Sequence, residues 1–175
     1  MKLLKLFIAV VIFSSMAAPA SAANSGTINF MGRVVSGTCS VSSGSSTLNV
    51  TLGDVLASKL LTKDATAGEK DFQINLEKCG LAGSKTVKVK FEGLGENNLL
   101  VNTSGDISKA KNVGIGIYEN DGSTQITKAG FSKPLNVGLN QTGELKFKAK
   151  YVATADAAAV GGVVSVSTTF TLHYN

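Results

Sequence analysis

The chain has 175 residues, of which 43% are hydrophobic and 6% aromatic, and its 17 basic and 12 acidic side chains give a formal charge of +5. This length suits one domain with a full hydrophobic core. The lysines stand mostly singly between apolar residues and there is no tryptophan, which argues against a nucleic-acid-binding patch, where basic residues cluster and aromatic residues interleave.

The first 22 residues have the pattern of a secretory signal peptide. Lys2 and Lys5 give a positively charged start, and residues 6–13 form an apolar run that is too short to span a bilayer. Small residues follow at positions 18–23, and we place the cleavage site after Ala22. A membrane anchor is the alternative, but the apolar run is short and ends in small residues. The sequence therefore predicts an exported protein.

The first strand pattern of the mature chain covers residues 28–34. One face carries Ile28, Phe30, Gly32 and Val34, and the other carries Asn29, Met31 and Arg33. Gly32 is unusual because glycine weakens a strand and often marks the close approach of another backbone. Taken alone, these residues favour an ordinary first strand of a sandwich.

Two cysteines, Cys39 and Cys79, remain in the mature chain. An exported chain meets an oxidising compartment, so we predict a disulfide between them. The alternative is a nucleophilic or metal-binding thiol, which needs partner groups. The chain's single histidine, His173, lies on the polar face of the last predicted strand and offers no such partnership.

Short alternating runs separated by turn residues follow along the chain. The clear runs are residues 72–77, 87–91, 113–118 and 145–151, and the weaker candidates are residues 48–52, 99–102, 125–127 and 135–137. Residues 54–61 differ, because their apolar spacing fits one or two helical turns with Asp54 as a possible cap. Many short strands with turns between them predict an all-β sandwich without internal repeats.

The sequence lacks the parts of common active sites. It has no HExxH motif, no nucleophile elbow and no phosphate-binding glycine loop after a strand. Asp54, Asp64, Glu69 and Asp71 lack the order of a calcium-binding loop, so we interpret them as solvated loop acids. We therefore predict a protein that is not an enzyme and needs no metal or other cofactor.

The last strand pattern runs to the end of the sequence. One face carries Val164, Val166, Thr168, Phe170, Leu172 and Tyr174, and the other is polar up to His173. The sequence stops one residue after Tyr174, so we expect no later strand of the same chain to cover this one. A strand with an open edge needs a pairing partner, and the identity of that partner is a question about function.

Several segments resemble the major-subunit family of type 1 fimbriae, which are chaperone–usher pili. In chain order the matching segments are residues 26–35, 72–79, 112–117, 145–151 and 170–174, with a tyrosine second from last. Each segment is a weak signal alone. Their order, together with the signal peptide and the cysteine pair, makes the resemblance specific.

The resemblance implies an incomplete immunoglobulin-like β-sandwich that lacks its last strand. After the signal peptide, residues 23–36 would be an N-terminal donor-strand extension and residues 37–175 the pilin domain. The donor residues would be Ile28, Phe30, Gly32 and Val34, inserted into the groove of the next subunit. That groove would lie beside the subunit's C-terminal strand, at Phe170, Leu172 and Tyr174, where a periplasmic chaperone would bind first.

The function implied by the resemblance is structural. The chain would polymerise with identical or homologous pilin subunits into an adhesive filament on the cell surface, after passage through the periplasm with a chaperone and an outer-membrane usher. Neither nucleic acid nor a small-molecule cofactor would take part. The alternative that the residues leave open is a self-contained, secreted immunoglobulin-like module that binds carbohydrate or protein through its loops.

Overall fold

A computed structural model of the protein describes residue 31 and residues 39–80, 85–138 and 141–175. The chain divides into two units, Met1–Val34 and Val35–Asn175, and every strand named below belongs to the second. Within the described ranges, no helix is both long enough and apolar enough to cross a membrane.

In this part of the chain, eight strands form two sheets. In chain order they are β1 (Ser40–Val41), β2 (Thr66–Cys79), β3 (Lys85–Phe91), β4 (Leu99–Val101), β5 (Val113–Glu119), β6 (Leu135–Val137), β7 (Gln141–Ala153) and β8 (Phe170–Tyr174). The larger sheet has the order β1-β2-β7-β5-β4, and the smaller has the order β6-β3-β8. All neighbouring strands are antiparallel. The predicted all-β sandwich is confirmed.

Most of the predicted strands are present at the expected places. The four clear alternating runs lie within β2, β3, β5 and β7, and the weaker candidates at residues 99–102 and 135–137 correspond to β4 and β6. Two other weak candidates are wrong. Residues 48–52 form no strand. Residues 125–127 form one isolated bridge, which pairs Gln125 with Tyr118 of β5, and no strand. Alternation produces a strand only where a sheet edge is free to accept it.

The predicted helical segment at residues 54–61 is a single 3-10 turn, Ala57–Lys59, which lies at the lower limit of the expectation. Asp54 does not cap this turn, so that prediction is wrong. Leu56 occupies the capping position and makes no side-chain hydrogen bond.

The main core lies between the inner faces of the two sheets. Its centre is an aromatic group of Phe72, Phe91 and Phe147, whose ring centroids lie 5.1 to 6.4 Å apart. Aromatic rings at these distances and tilts stabilise a core beyond the area that they bury. A second, smaller core lies where three loops meet, and its buried members are Leu60, Ala110, Val113, Ala153 and Ala159.

Two bulges fit β2 to its neighbour β7. Near the start of β2 the register shifts by one residue where Gly68 has φ +67°, and it shifts again after Leu76, where Lys78 has φ +52°. Each extra residue reverses the alternation of side chains between the two faces. The second bulge therefore turns Cys79 into the core, where its exposed fraction is 0%.

The predicted disulfide is confirmed. Cys39 and Cys79 are bonded, and the bond links residues that are 40 positions apart in the sequence. It ties the start of β1 to the end of β2, the two strands that form one end of the larger sheet.

Ion pairs cover the outer face of β2 and β7. Lys148 Nζ lies 2.6 Å from Glu69 Oε1 and 2.8 Å from Asp71 Oδ1, and Lys150 Nζ lies 2.8 Å from Glu69 Oε2. Lys150 also lies 5.0 Å from the centroid of the Tyr118 ring, within the range of a cation–π interaction.

The interpretation of Glu69 and Asp71 as loop acids is therefore wrong, while Asp54 and Asp64 do lie in loops. The register of β2 and β7 explains the error, because Asp71 lies directly opposite Lys148 and opposite charges across a strand pair attract. In the described ranges, no group of three or more His, Cys, Asp or Glu side chains is placed to hold a metal ion.

Replacing both cysteines by serine should lower the free energy of unfolding by roughly 4 kcal/mol, because a loop of this length adds chain entropy to the unfolded state when it is released. Chemical denaturation of the two proteins, each under oxidising conditions, measures the difference. Equal midpoints for the wild type and the double variant would contradict the prediction.

Glu69→Gln should lower the melting temperature near pH 7 and have little effect near pH 2. Hydrogen bonds from Lys148 and Lys150 lower the pKa of Glu69 from 4.5 to about 2, so this carboxylate stabilises the fold above pH 4.5 and the stabilisation is lost as the pH falls toward 2. Thermal unfolding across this range measures the effect. Glu144→Gln is the matched control, because Glu144 pairs only with Lys146 among the described residues and both are about half exposed.

Candidate functional site: the open edge of the smaller sheet

β8 forms one edge of the smaller sheet. It pairs with β3 along its whole length, from Phe91 opposite Phe170 to Val87 opposite Tyr174, and no described strand pairs with its other side. The strand is shorter than its sequence pattern, which extends back to Val164. The ladder stops because β3 ends at Phe91, and residues 164–169 continue without a strand partner in the described ranges.

The direction of the backbone groups of β8 follows from its hydrogen bonds. Thr86 and Asn175 exchange both of their main-chain bonds, with N–O distances of 3.3 and 3.1 Å, and Glu92 N donates to Thr169 O at 2.9 Å. In an antiparallel pair, alternate residues point their N–H and C=O groups to the same side. Thr169 and Asn175 face β3, and so do the odd-numbered residues between them. The even-numbered residues, Phe170, Leu172 and Tyr174, therefore direct their N–H and C=O groups away from β3, toward the open edge.

The side chains of the same residues form the apolar part of the site. On β3, Val87 and Val89 are 0% exposed and Phe91 is 3% exposed. Their partners on β8 are Tyr174, Leu172 and Phe170, which pack against the same core but are only half-buried. Opposed residues of the two paired strands differ in burial because, among the described strands, β3 has neighbours on both sides and β8 has one.

Further half-buried apolar side chains extend this row. Val164 and Val166 precede β8 at the same alternation, and Val41 and Leu52 pack against the same core from the first part of the domain. Because these side chains are apolar and incompletely covered, the site is suited to an apolar, extended segment that pairs with the edge of β8.

Tyr174 fixes the far end of the site. Its hydroxyl donates a hydrogen bond to Cys39 O at 3.1 Å, and burial raises the pKa of this phenol above its ordinary value of 10. Tyr174 therefore stays protonated and keeps its donor at physiological pH. This bond connects the end of β8 to the disulfide-bonded start of the domain.

The outer face of β8 holds a contact that the sequence did not suggest. His173 stacks edge-to-face on Phe131, with ring centroids 4.7 Å apart. These residues are 42 positions apart in the chain, and Phe131 lies in a loop without strand periodicity, so no local pattern indicates their contact.

β8 is also the longest edge strand among those described. β1 has two residues, β4 has three and β6 has three, whereas β8 has five. Proteins normally shorten or protect their edge strands, because an open edge accepts other chains. A long edge with apolar side chains is therefore the best candidate for an interaction site.

The structure brings together the three residues predicted to line the acceptor groove, Phe170, Leu172 and Tyr174, on one face of one strand. The predicted donor residues Ile28, Phe30, Gly32 and Val34 lie outside the described residues. Their role stays a prediction.

Known proteins similar to the chain include several pilus subunits. The family model described as "Fimbrial protein" matches residues 28–175. The chain is 31% identical to the type-1 fimbrial protein, A chain, of Escherichia coli K12, with 95% of this chain and 97% of that protein covered. It is 34% identical to long polar fimbria protein A of Salmonella typhimurium LT2, with 84% and 83% covered.

A solved structure of a chaperone–usher pilus matches the fold with a TM-score of 0.61 at 22% identity, covering 90% of this chain and 100% of the matched one. This likeness identifies the fold as the incomplete immunoglobulin-like sandwich of pilus subunits, in which a strand is missing beside β8. Because the family model spans both sheets and the open edge, the chain belongs to the fimbrial protein family and is a structural subunit of a fimbria.

Proposed function

We propose that this subunit polymerises by donor-strand exchange, with the edge of β8 as the acceptor and residues 28–34 of another subunit as the donor. The observation that carries the proposal is the contrast in burial between β3 and β8. The half-buried row Phe170, Leu172 and Tyr174 needs apolar cover, and their outward N–H and C=O groups need a strand to pair with.

The proposed donor has the matching pattern. Ile28, Phe30 and Val34 share one face of the alternating pattern, and Asn29, Met31 and Arg33 share the other, so a strand paired with β8 would direct the first three toward the core. Their burial would contribute roughly 5–9 kcal/mol before the cost of ordering the segment, at about 1.5–3 kcal/mol for each apolar side chain. Gly32 would lie where the groove leaves no room for a side chain.

A contact between the extension of one subunit and the groove of the next is heterologous. Such a contact repeats without closing and produces an open filament. We propose that the filament is a fimbria on the cell surface and that adhesion is a property of the whole organelle.

The same edge explains the proposed partners during export. An uncovered five-residue edge strand is an aggregation hazard. We propose that a periplasmic chaperone lends a strand to β8 until the subunit reaches an outer-membrane usher. In this scheme the subunit catalyses no reaction and binds no cofactor.

Deleting residues 23–35 should remove the ability to donate and keep the ability to accept. Cells that produce only this variant should form chaperone complexes but no fibres, because each groove would remain without a donor. Electron microscopy and unboiled gel electrophoresis, which would show an SDS-resistant ladder for the wild type, measure the outcome. Normal fibres from the variant would refute the donor role, and a wild type that migrates only as a monomer would favour a self-contained binding module.

Gly32→Leu should slow polymerisation by roughly tenfold or more. Forcing a large side chain into a filled site typically costs 1–3 kcal/mol, and each 1.4 kcal/mol changes a rate about tenfold if the cost appears in the transition state. Asn29→Leu is the matched control, because it adds the same side chain to the opposite face of the same segment. The rate at which a subunit displaces the chaperone measures both, and equal rates for the two variants would exclude the tight fit.

A further inference from the structure

The chain before β8 keeps the hydrogen-bond alternation of a strand although β3 has already ended. Val163 N donates to Ser108 O at 3.1 Å, and Val163 O accepts from Ala110 N at 2.9 Å. Two residues later, Ser165 O accepts from Thr103 N at 3.0 Å. These bonds are made by odd-numbered residues, and odd-numbered residues also face β3 within β8. The loop between β4 and β5 therefore takes the place of β3 along this stretch.

Asn102 is the centre of this substitute pairing. Its Nδ2 donates to Val163 O at 2.9 Å, and its Oδ1 accepts from Ser165 N at 3.1 Å. In a strand, the C=O of one residue and the N–H of the second residue after it point to the same side, so one side-chain amide matches both. Nδ2 also donates to Ala110 O at 3.1 Å and Oδ1 accepts from Ser104 N at 3.1 Å. The two donors and two acceptor positions of the amide are thus all used.

The even-numbered residues of the same stretch face the other way. Val164 and Val166 are half-buried and pack against the main core, as Phe170, Leu172 and Tyr174 do. The main chain of neither valine bonds to another described residue. Their N–H and C=O groups therefore point toward the open edge. The edge that continues into β8 thus begins at Val164 and is longer than the five residues of the strand itself.

The proposed donor needs this additional length. Residues 28–34 are seven in number, whereas β8 has five. Antiparallel and parallel ladders both match residues along their length, so a donor of this size also lies beside residues outside β8. The stretch that begins at Val164 offers it apolar side chains and outward main-chain groups. It can pair with a donor only while its main chain is held extended.

We infer that Asn102 is a positioning residue of the acceptor site. Its side-chain amide replaces the missing length of β3 and holds residues 163–165 as the first part of the edge with which the donor pairs. This inference rests on the proposed function and extends the acceptor site to a loop outside the smaller sheet. Asn102 does not touch the donor, because it binds the opposite side of residues 163–165.

Capture of a synthetic donor peptide, residues 23–35 of this chain, by the chaperone-bound subunit tests the role. Asn102→Ala should slow capture roughly tenfold, which corresponds to about 1.4 kcal/mol, because the peptide then has to order part of the edge. Asn102→Asp loses both donors and should slow capture as well, so it carries the measurement if the alanine variant is not recovered. Gln125→Ala is the matched control, since this half-buried amide also joins two loops, by a bond from Nε2 to Asn98 O at 3.0 Å, in the larger sheet.

Peptides with alanine in place of Ile28 or Val34 separate positioning from a general loss of stability. Only one end of the donor lies beside Val164 and Val166, so the effect of Asn102→Ala should disappear with one of these two peptides and remain with the other. A general loss of stability slows the capture of all peptides equally. Hydrogen exchange, read by mass spectrometry, should accelerate at residues 163–168 and stay unchanged in β8.

The expected result is an effect that disappears with one alanine peptide only, together with faster exchange confined to residues 163–168 and wild-type capture by Gln125→Ala. Equal capture by the wild type and both Asn102 variants, or equal slowing with every peptide, would overturn the inference and leave the proposed function intact. A wild-type subunit that captures no donor peptide would overturn the proposed function, and this inference with it.

Discussion

The rest of the structure depends on one constraint. The inward side chains of β3 are fully buried, whereas those of its neighbour β8 are only half-buried. β6 and the loop after residue 130 cover one edge of β3, where Ser132 exchanges hydrogen bonds with Val89. On the other side β8 is the last described strand, and its inward side chains stay half-buried. Among the described residues, the missing apolar cover and the missing backbone partners occur at the same positions of β8, so one extended segment would supply both. In the proposed assembly, the stability of the subunit and the growth of the filament therefore depend on the same contact.

Contacts around the disulfide fix the end of β8, along which the proposed acceptor groove lies. The bulge at Lys78 directs Cys79 inward, the disulfide holds Cys39 there, and Cys39 O accepts the hydrogen bond of Tyr174. The end of β8 is further fixed by the paired main-chain bonds between Thr86 and Asn175. A preformed groove reduces the ordering cost that binding has to overcome. The cysteine pair thus positions the edge of the proposed acceptor site and also stabilises the domain.

Periodicity in the sequence was sufficient to predict the strands that face the main core, because Ile74, Leu76, Val87 and Val89 repeat every second residue and are fully buried. Periodicity could not predict the bulge at Lys78. This residue has φ +52°, and a lysine gives no sequence signal for a positive φ. Periodicity also could not show that residues 48–52 form no strand, because strand formation requires a free sheet edge that is distant in the sequence. The acceptor role of Phe170, Leu172 and Tyr174 is predicted from a family resemblance, whereas the incomplete burial that supports this role is visible only when β3 and β8 are compared. The contact of Lys148 with Glu69 and Asp71 likewise depends on register.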